Sequence, residues 1–276
     1  MTPFDARRKA FRELHQSGCF VIPNPWDPGT TRYLEHLGFQ ALATTSAGFA
    51  FSRGLPDTSI ARDVVLAHVA EIVQATHLPV NADFQSGYAP DPEGVAESVR
   101  LCIATGVAGL SIEDATGDRD HPLYDRSVAL ERIQAARQAI AESINDSGVL
   151  LTARAECFLV GHPDPLRESI ARLTAFAEAG ADVLYAPGVK TRDEIQTLVK
   201  AVAPKPVNIL MSANTGFCVA DLAELGVRRV SVGSSLARAA WTGFIAAAKE
   251  IAGHGTFKSF DGMVPFAEMN QFFQKD

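Results

Sequence analysis

Acidic and amide side chains recur in this sequence just beyond short apolar runs. Asn81-Ala82-Asp83 follows Pro79-Val80, Glu113-Asp114 follows Leu110-Ser111-Ile112, and Arg154-Ala155-Glu156 follows Val149–Ala153. Further upstream lie Thr44-Thr45-Ser46-Ala47-Gly48 and Gly54-Leu55-Pro56-Asp57. If the apolar runs are strands, these polar groups converge on one rim. Carboxylates that crowd together raise one another's pKa unless a counter-charge is present. Oxygen donors suit a hard divalent cation, Mg²⁺ or Mn²⁺, which gives Asp57, Asp83 and Glu113 a metal-binding reading. The planar fork of Arg154 suits a carboxylate. Cation and arginine together fit a small 2-oxo acid, with Ser46 and the backbone N–H groups of Ala47 and Gly48 holding its remaining oxygens. His121, in the loop 118–124, is a candidate for a lid over the site. Gly233-Ser234-Ser235 opens a helix, where it serves either as a phosphate cradle or as an ordinary cap.

The elements that must position these groups are punctuated by glycine. Leu37-Gly38-Phe39, Thr105-Gly106-Val107, Ala179-Gly180-Ala181 and Leu225-Gly226-Val227 each end a helical stretch and open an apolar run. Glycine past a helix end takes the left-handed conformation without steric cost. Eight strands are expected near 19–23, 39–45, 79–83, 107–113, 149–155, 181–186, 206–211 and 227–233. Helical periodicity marks Ile60–Ala75, Leu130–Ile140, Leu166–Ala179 and Ile195–Val202, and Pro92 opens another helix. Strict alternation of strand and helix predicts a parallel sheet closed as a (β/α)₈ TIM barrel, which binds ligands at the C-terminal strand ends. An open doubly wound sheet fits less well, because the first turn, Asn24-Pro25-Trp26-Asp27, lacks a glycine-rich phosphate loop. No linker splits the 276 residues, so a single barrel domain is expected, about 18–253. The tail, about 254–276, carries Phe257, Phe260, Met263, Phe266, Met269, Phe272 and Phe273, and is expected to dock on its own barrel or on a partner subunit.

Composition narrows the class. With 47% hydrophobic and 21% charged residues the chain is not a disordered one. A formal charge of -7 with no long basic cluster argues against nucleic-acid binding. No apolar run is long enough to span a bilayer, and the first eleven residues hold no secretory apolar core. Cys19, Cys102, Cys157 and Cys218 show no paired spacing and read as reduced thiols of a cytoplasmic protein. None of the seven lysines falls at a predicted strand end, which argues against Schiff-base aldolase chemistry.

Taken in order, the motifs Thr45-Ser46-Ala47-Gly48, Gly54-Leu55-Pro56-Asp57, Pro79-Val80-Asn81-Ala82-Asp83, Ser111-Ile112-Glu113-Asp114 and Ala153-Arg154-Ala155-Glu156 resemble the isocitrate lyase/phosphoenolpyruvate mutase superfamily. The resemblance runs from about Asn24 to Gly233. It implies a Mg²⁺-binding (β/α)₈ barrel that makes or breaks C–C or P–C bonds beside a 2-oxo acid, commonly in tetramers that exchange the last helix. It also implies that Ser46, Ala47 and Gly48 form the substrate-carboxylate loop, that Asp57 is an outer metal carboxylate, that Asp83 is the second acid of an Asp-x-Asp pair, that Glu113 is the strand-four glutamate, and that Arg154 binds substrate. Three features depart from that pattern. Asn81 stands where the first acid of the pair is usual, so its amide oxygen would ligate without supplying charge. Phe84-Gln85-Ser86-Gly87-Tyr88 is a longer turn than usual. The segment Ala115–Tyr124 carries neither the Lys-Lys-Cys-Gly-His or Lys-Arg-Cys-Gly-His run of the lyases nor the lysine of the mutases, which argues against isocitrate or methylisocitrate cleavage and against phosphonomutase chemistry.

The sequence therefore predicts a Mg²⁺-dependent, homo-oligomeric cytoplasmic enzyme, a dimer or tetramer. It would decarboxylate an oxaloacetate-like 2-oxo acid or cleave the C–C bond beta to the oxo group. His121, Tyr88 and Tyr124 are the candidate proton donors, and Asn208 on the seventh strand joins the substrate-binding set. The alternative is a catalytically weak barrel that binds a 2-oxo acid or dicarboxylate as sensor or scaffold.

Overall fold

A computed structural model describes residues 3–143 and 148–274 of the chain. All eight expected strands form: β1 (Phe20–Ile22), β2 (Leu42–Ala43), β3 (Val80–Asp83), β4 (Gly109–Glu113), β5 (Leu150–Arg154), β6 (Val183–Tyr185), β7 (Val207–Leu210) and β8 (Arg229–Ser231). Every pairing is parallel, in the order β1-β8-β7-β6-β5-β4-β3-β2. The barrel is nearly closed. Between β1 and β2 a ladder gives way to one backbone bond, Ala43 N–H to the Pro23 carbonyl at 3.0 Å, and to the Asn24 amide donating to the Thr44 carbonyl at 2.8 Å. The strands are shorter than the apolar runs that encode them, since a twisted barrel pairs only the central residues of each run.

The helices follow the glycine punctuation. Gly38, Gly106, Gly180 and Gly226 all have positive φ, between 83° and 96°, at the ends of α2 (Pro28–His36), α5 (Pro92–Ala104), α7 (Pro165–Glu178) and α9 (Val219–Glu224). Side-chain caps start several helices. Asp27 caps α2 and Asp91 caps α5, while Thr191 and Glu194 form a capping box at α8 (Arg192–Val202). The expected helical segments appear as α4 (Arg62–Gln74), α6 (Arg126–Glu142), α7 and α8. Their apolar faces and the outward side chains of the strands make the main core, from Val69, Ile72 and Val99 to Leu173 and Leu198.

Two helices were not anticipated. α1 (Pro3–Leu14) is too charged to show a clear apolar stripe, yet Phe11 is fully buried with Phe20, Ile22, Ala41, Ala43, Ala108 and Leu150. Phe20, Ala41, Ala108 and Leu150 lie at or just before the N-terminal ends of their strands, so α1 closes that end of the barrel. The Arg8 guanidinium fastens it, its Nε donating to the Val107 carbonyl at 3.1 Å. The short α3 (Ser46–Ser52) stands where a loop was expected, with Thr45 as its N-cap.

The chain divides into two compact units, one ending at Ser234 and one beginning at Ser235. The second holds α10 (Ser235–His254), a 3₁₀ turn (Lys258–Phe260) and α11 (Phe266–Gln274). The eighth barrel helix thus groups with the aromatic tail, whereas the sequence placed it with the barrel up to about residue 253. Among the described residues of this unit only Ala237 is buried, and Trp241, Phe244, Phe257, Met263 and Phe266 are exposed. Glu250 ties the unit internally through the Lys258 and Ser259 backbone N–H groups, at 2.8 and 2.7 Å. Among the described residues no helix is long and apolar enough to cross a membrane.

Candidate active site

A cavity of about 290 Å³ opens within the first unit at the C-terminal ends of the strands. Ser46, Ala47, Asp57, Asn81, Asp83, Glu113, Arg154, Glu156 and Asn208 line it, with Asn24, Tyr185, Arg229 and Ser231. Each polar strand residue faces inward by alternation. Asn81 and Asp83 share a face of β3, as do Ser111 and Glu113 on β4, and Thr152 and Arg154 on β5.

Arg154 is the hub. Its Nη1 donates to Asp83 Oδ1 at 2.9 Å and its Nε to Glu156 Oε1 at 2.9 Å. Its Nη2 lies 3.4 Å from Glu113 Oε2, and the guanidinium stands over the Tyr185 ring at 5.0 Å from the centroid. The second Asp83 oxygen accepts the Ser46 backbone N–H at 2.9 Å, and the Asp83 N–H donates to Thr44 Oγ1. Asp57 is held by the Thr58 N–H and by a hydrogen bond from Ser46. Thr58 itself has φ 66°. A β-branched residue is strained there, and such strain clusters at working sites.

Four carboxyl groups thus face one guanidinium. Burial pushes the Glu113 carboxyl well above its usual range, with Arg154 opposing and Glu156 and Asp83 adding to the rise. Glu156 and Asp57 are raised too, chiefly by burial. Burial opposes the charge on the Arg154 guanidinium, but Glu113, Glu156 and Asp83 together push it further up. The set is short of positive charge, which protons or a cation can supply.

The donor set fits a hard divalent cation held in part through water. Asn81 Oδ1 is buried and has no hydrogen-bond donor among the described residues. An unsatisfied buried acceptor is costly, and a cation or water would relieve it. Among the described residues no three His, Cys, Asp or Glu side chains already converge as a closed metal cage. Both Asp83 oxygens are committed to Arg154 and Ser46. Gly109 makes the Asn81 position possible, since a Cβ there would lie 2.7 Å from both Asn81 Oδ1 and the Phe11 ring.

Several expected site residues stand elsewhere. His121 is exposed and does not line the cavity. Its loop folds on itself through a bridge between Ala115 and Leu123. Tyr124 packs under the Arg132 guanidinium at 4.1 Å and passes its carbonyl to Arg172, so it anchors the loop from outside. Tyr88 has φ 57° and a buried hydroxyl without a hydrogen-bond partner among the described residues, and it lies off the cavity wall. Gly48 is also off the wall, its N–H spent on the Thr45 cap at 3.1 Å. Asn208 lines the cavity with its amide engaged at both ends, donating to Ser231 Oγ and accepting from Arg229 Nε, each at 2.9 Å. Asp114 turns away from the cavity toward Arg172, 3.1 Å away. The Val232 and Gly233 N–H groups are taken by Asn24 Oδ1, at 3.0 and 2.8 Å, which removes them as a phosphate cradle. Among the described residues no lysine lines the cavity.

The sequence reading gave no site role to four lining or supporting residues. Glu156 stood among the rim carboxylates, in Arg154-Ala155-Glu156, but was assigned no role of its own. Asn24, Arg229 and Arg132 gave no local signal. Arg132 holds the long turn after β3 through the Ser86, Ala89 and Pro90 carbonyls, contacts 42 or more residues away in sequence.

The profile of the phosphoenolpyruvate phosphomutase family matches residues 11–252. The chain belongs to that family. It is therefore an enzyme of the isocitrate lyase/phosphoenolpyruvate mutase superfamily of lyases and mutases. A Burkholderia cenocepacia protein of solved structure, described as a lyase or mutase, is 48% identical with a TM-score of 0.95, covering 99% of this chain and 98% of its own. The oxaloacetate decarboxylase of Paraburkholderia xenovorans is 26% identical over 84% of this chain and 77% of its own. The structure of an oxaloacetate acetylhydrolase with its product oxalate is 26% identical with a TM-score of 0.85, covering 99% of this chain and 95% of its own.

Proposed function

We propose that this protein cleaves a C–C bond of a small 2-oxo acid, by decarboxylating an oxaloacetate-like substrate or splitting it beta to the oxo group. The observation that carries the reading is the gathering of Asp57, Asp83, Glu113 and Glu156 around Arg154 in one cavity at the C-terminal strand ends. The named relatives that act on oxaloacetate support the substrate class.

Asp57, Asp83, Glu113 and the Asn81 carbonyl oxygen would hold Mg²⁺ or Mn²⁺. When bound, the ion supplies positive charge beside the oxo oxygen of the substrate. Arg154 orients the substrate carboxylate with the guanidinium edge it frees from Glu113, the longest of its three carboxylate contacts. Ser46 and Ala47 line the same cavity, where they would hold the remaining substrate oxygens. Glu156 is the candidate donor of the proton that the product carbon takes up: it lines the cavity beside Arg154, and burial raises its carboxyl above the usual range against the pull of that guanidinium. The exposed apolar side chains of α10 and α11 support a homo-oligomer, a dimer or tetramer. Four free cysteines support a cytoplasmic setting.

A binder with little turnover is the second reading. It is favoured by the absence of His121, Tyr88 and Tyr124 from the cavity wall. Turnover of a panel of C4–C6 oxo and hydroxy acids, with Mg²⁺ present, separates the two. Metal-dependent product formation supports the enzyme reading. Tight oxo-acid binding by calorimetry without product supports the binder.

A further inference from the structure

Arg229 presents a buried guanidinium that the chemistry above does not use. It is 3% exposed, lines the same cavity, and sits on β8 in register with Asn208 of β7. Its Nε donates to Asn208 Oδ1 at 2.9 Å, its Nη2 to Thr152 Oγ1 at 3.1 Å, and its Nη1 approaches His15 Nε2 at 3.5 Å. These partners are neutral. Among the described residues no carboxylate pairs with Arg229, and its charged neighbour is another cation, Arg154. His15 offers no compensation from below. Its Nδ1 donates to the Phe11 carbonyl at 2.7 Å, which leaves Nε2 as an acceptor, and burial next to Arg229 keeps the ring neutral. Five N–H groups meet three acceptors, so one on each Nη has none among the described residues.

A buried charge without a counter-ion is costly, and proteins retain one where a ligand supplies the opposite charge. Here α1 seals the barrel beneath Arg229, so that ligand can enter only from the cavity. The acids that would hold the cation stand on β3, β4 and the 54–58 loop, whereas Arg229 stands on β8. We propose that Arg229 is a specificity-determining residue that binds a second acidic group of the substrate, with Asn208 and Ser231 orienting its fork. The cavity then selects dianionic oxo acids over pyruvate-like monoanions. This assignment rests on the 2-oxo acid reading above.

The test measures binding of pyruvate, oxaloacetate and 2-oxoglutarate by calorimetry in Mg²⁺, for the wild-type protein, Arg229→Met and Arg229→Lys. The wild type is expected to bind at least one diacid more tightly than pyruvate. Arg229→Met should weaken that diacid roughly tenfold or more, the scale of a charge-assisted hydrogen bond, and change pyruvate less than about threefold. If Arg229→Met does not fold, Arg229→Lys decides: it keeps the charge and loses the fork, so the diacid preference should still shrink. Equal weakening of all ligands, or no change, would overturn the role of Arg229 while leaving the oxo-acid reading intact. A wild-type protein that binds none of the three overturns both.

Discussion

Arg154 on β5 reaches across β4 to Asp83 on β3, with Nη1 2.9 Å from Oδ1. The pair bridges two strands that are not neighbours, and Glu113 of the intervening strand completes the contact at 3.4 Å. Arg154 is therefore both counter-ion to the rim acids and the proposed substrate fork. Replacing it with methionine leaves Asp83, Glu113 and Glu156 without their common partner. Breaking a buried ion pair this way costs on the order of 3–5 kcal/mol. Urea unfolding of Arg154→Met without metal should show such a loss, and Arg154→Lys should keep much of the stability yet lower kcat/KM roughly 100-fold or more, since a point charge does not replace the fork.

Asn81 supplies a carbonyl oxygen but no charge at the centre of the acid set. Asn81→Asp should tighten Mg²⁺ binding by about tenfold, equivalent to ~1.4 kcal/mol, because an anionic oxygen replaces a neutral one. Calorimetric titration with Mg²⁺ checks this. An unchanged affinity would place the ion away from Asn81.

Gly109 is required by close approach. Gly109→Ala would bring a methyl group within 2.7 Å of Asn81 Oδ1 and the Phe11 ring. Overpacking of this kind costs roughly 1–3 kcal/mol, and here the displaced atom belongs to the site. Thermal unfolding should show the loss, and weaker Mg²⁺ binding should accompany it.

Much of the barrel was readable in advance because its signals are local. Glycine after a helix and apolar residues on both strand faces marked all eight β-strands, and alternation within β3, β4 and β5 aimed Asn81, Asp83, Glu113 and Arg154 into one cavity. What escaped is set by distant partners. α1 earns burial only by plugging the barrel with Phe11, and its own sequence is mostly charged. His121, Tyr88 and Tyr124 follow the right strands, but their loops pack outward on Arg132 and Arg172, residues of α6 and α7. Arg229 reads as an ordinary polar residue in a strand until Asn208 and Thr152 appear beside it.

Glu168 links Arg126 and Arg172 below the 115–124 loop. Hydrogen bonding to Arg126 brings its carboxyl down to about 2. A carboxyl depressed in the folded state binds its proton more readily when unfolded, so its stabilisation is present above the ordinary value of 4.5 and is lost as pH falls toward 2. Stability of the wild type should drop across that window, and Glu168→Gln should flatten the drop. Melting temperatures of both proteins between pH 2 and pH 6 test the sign.

The central claim is metal-assisted cleavage of a 2-oxo acid in the Arg154 cavity. Its most direct test is pyruvate release from oxaloacetate, followed with purified protein in Mg²⁺, in EDTA, and after Mg²⁺ is restored. The account predicts release above the spontaneous rate in Mg²⁺, loss in EDTA, recovery on restoration, and no release by Asp83→Ala. Release that persists in EDTA, or that Asp83→Ala retains, would contradict it.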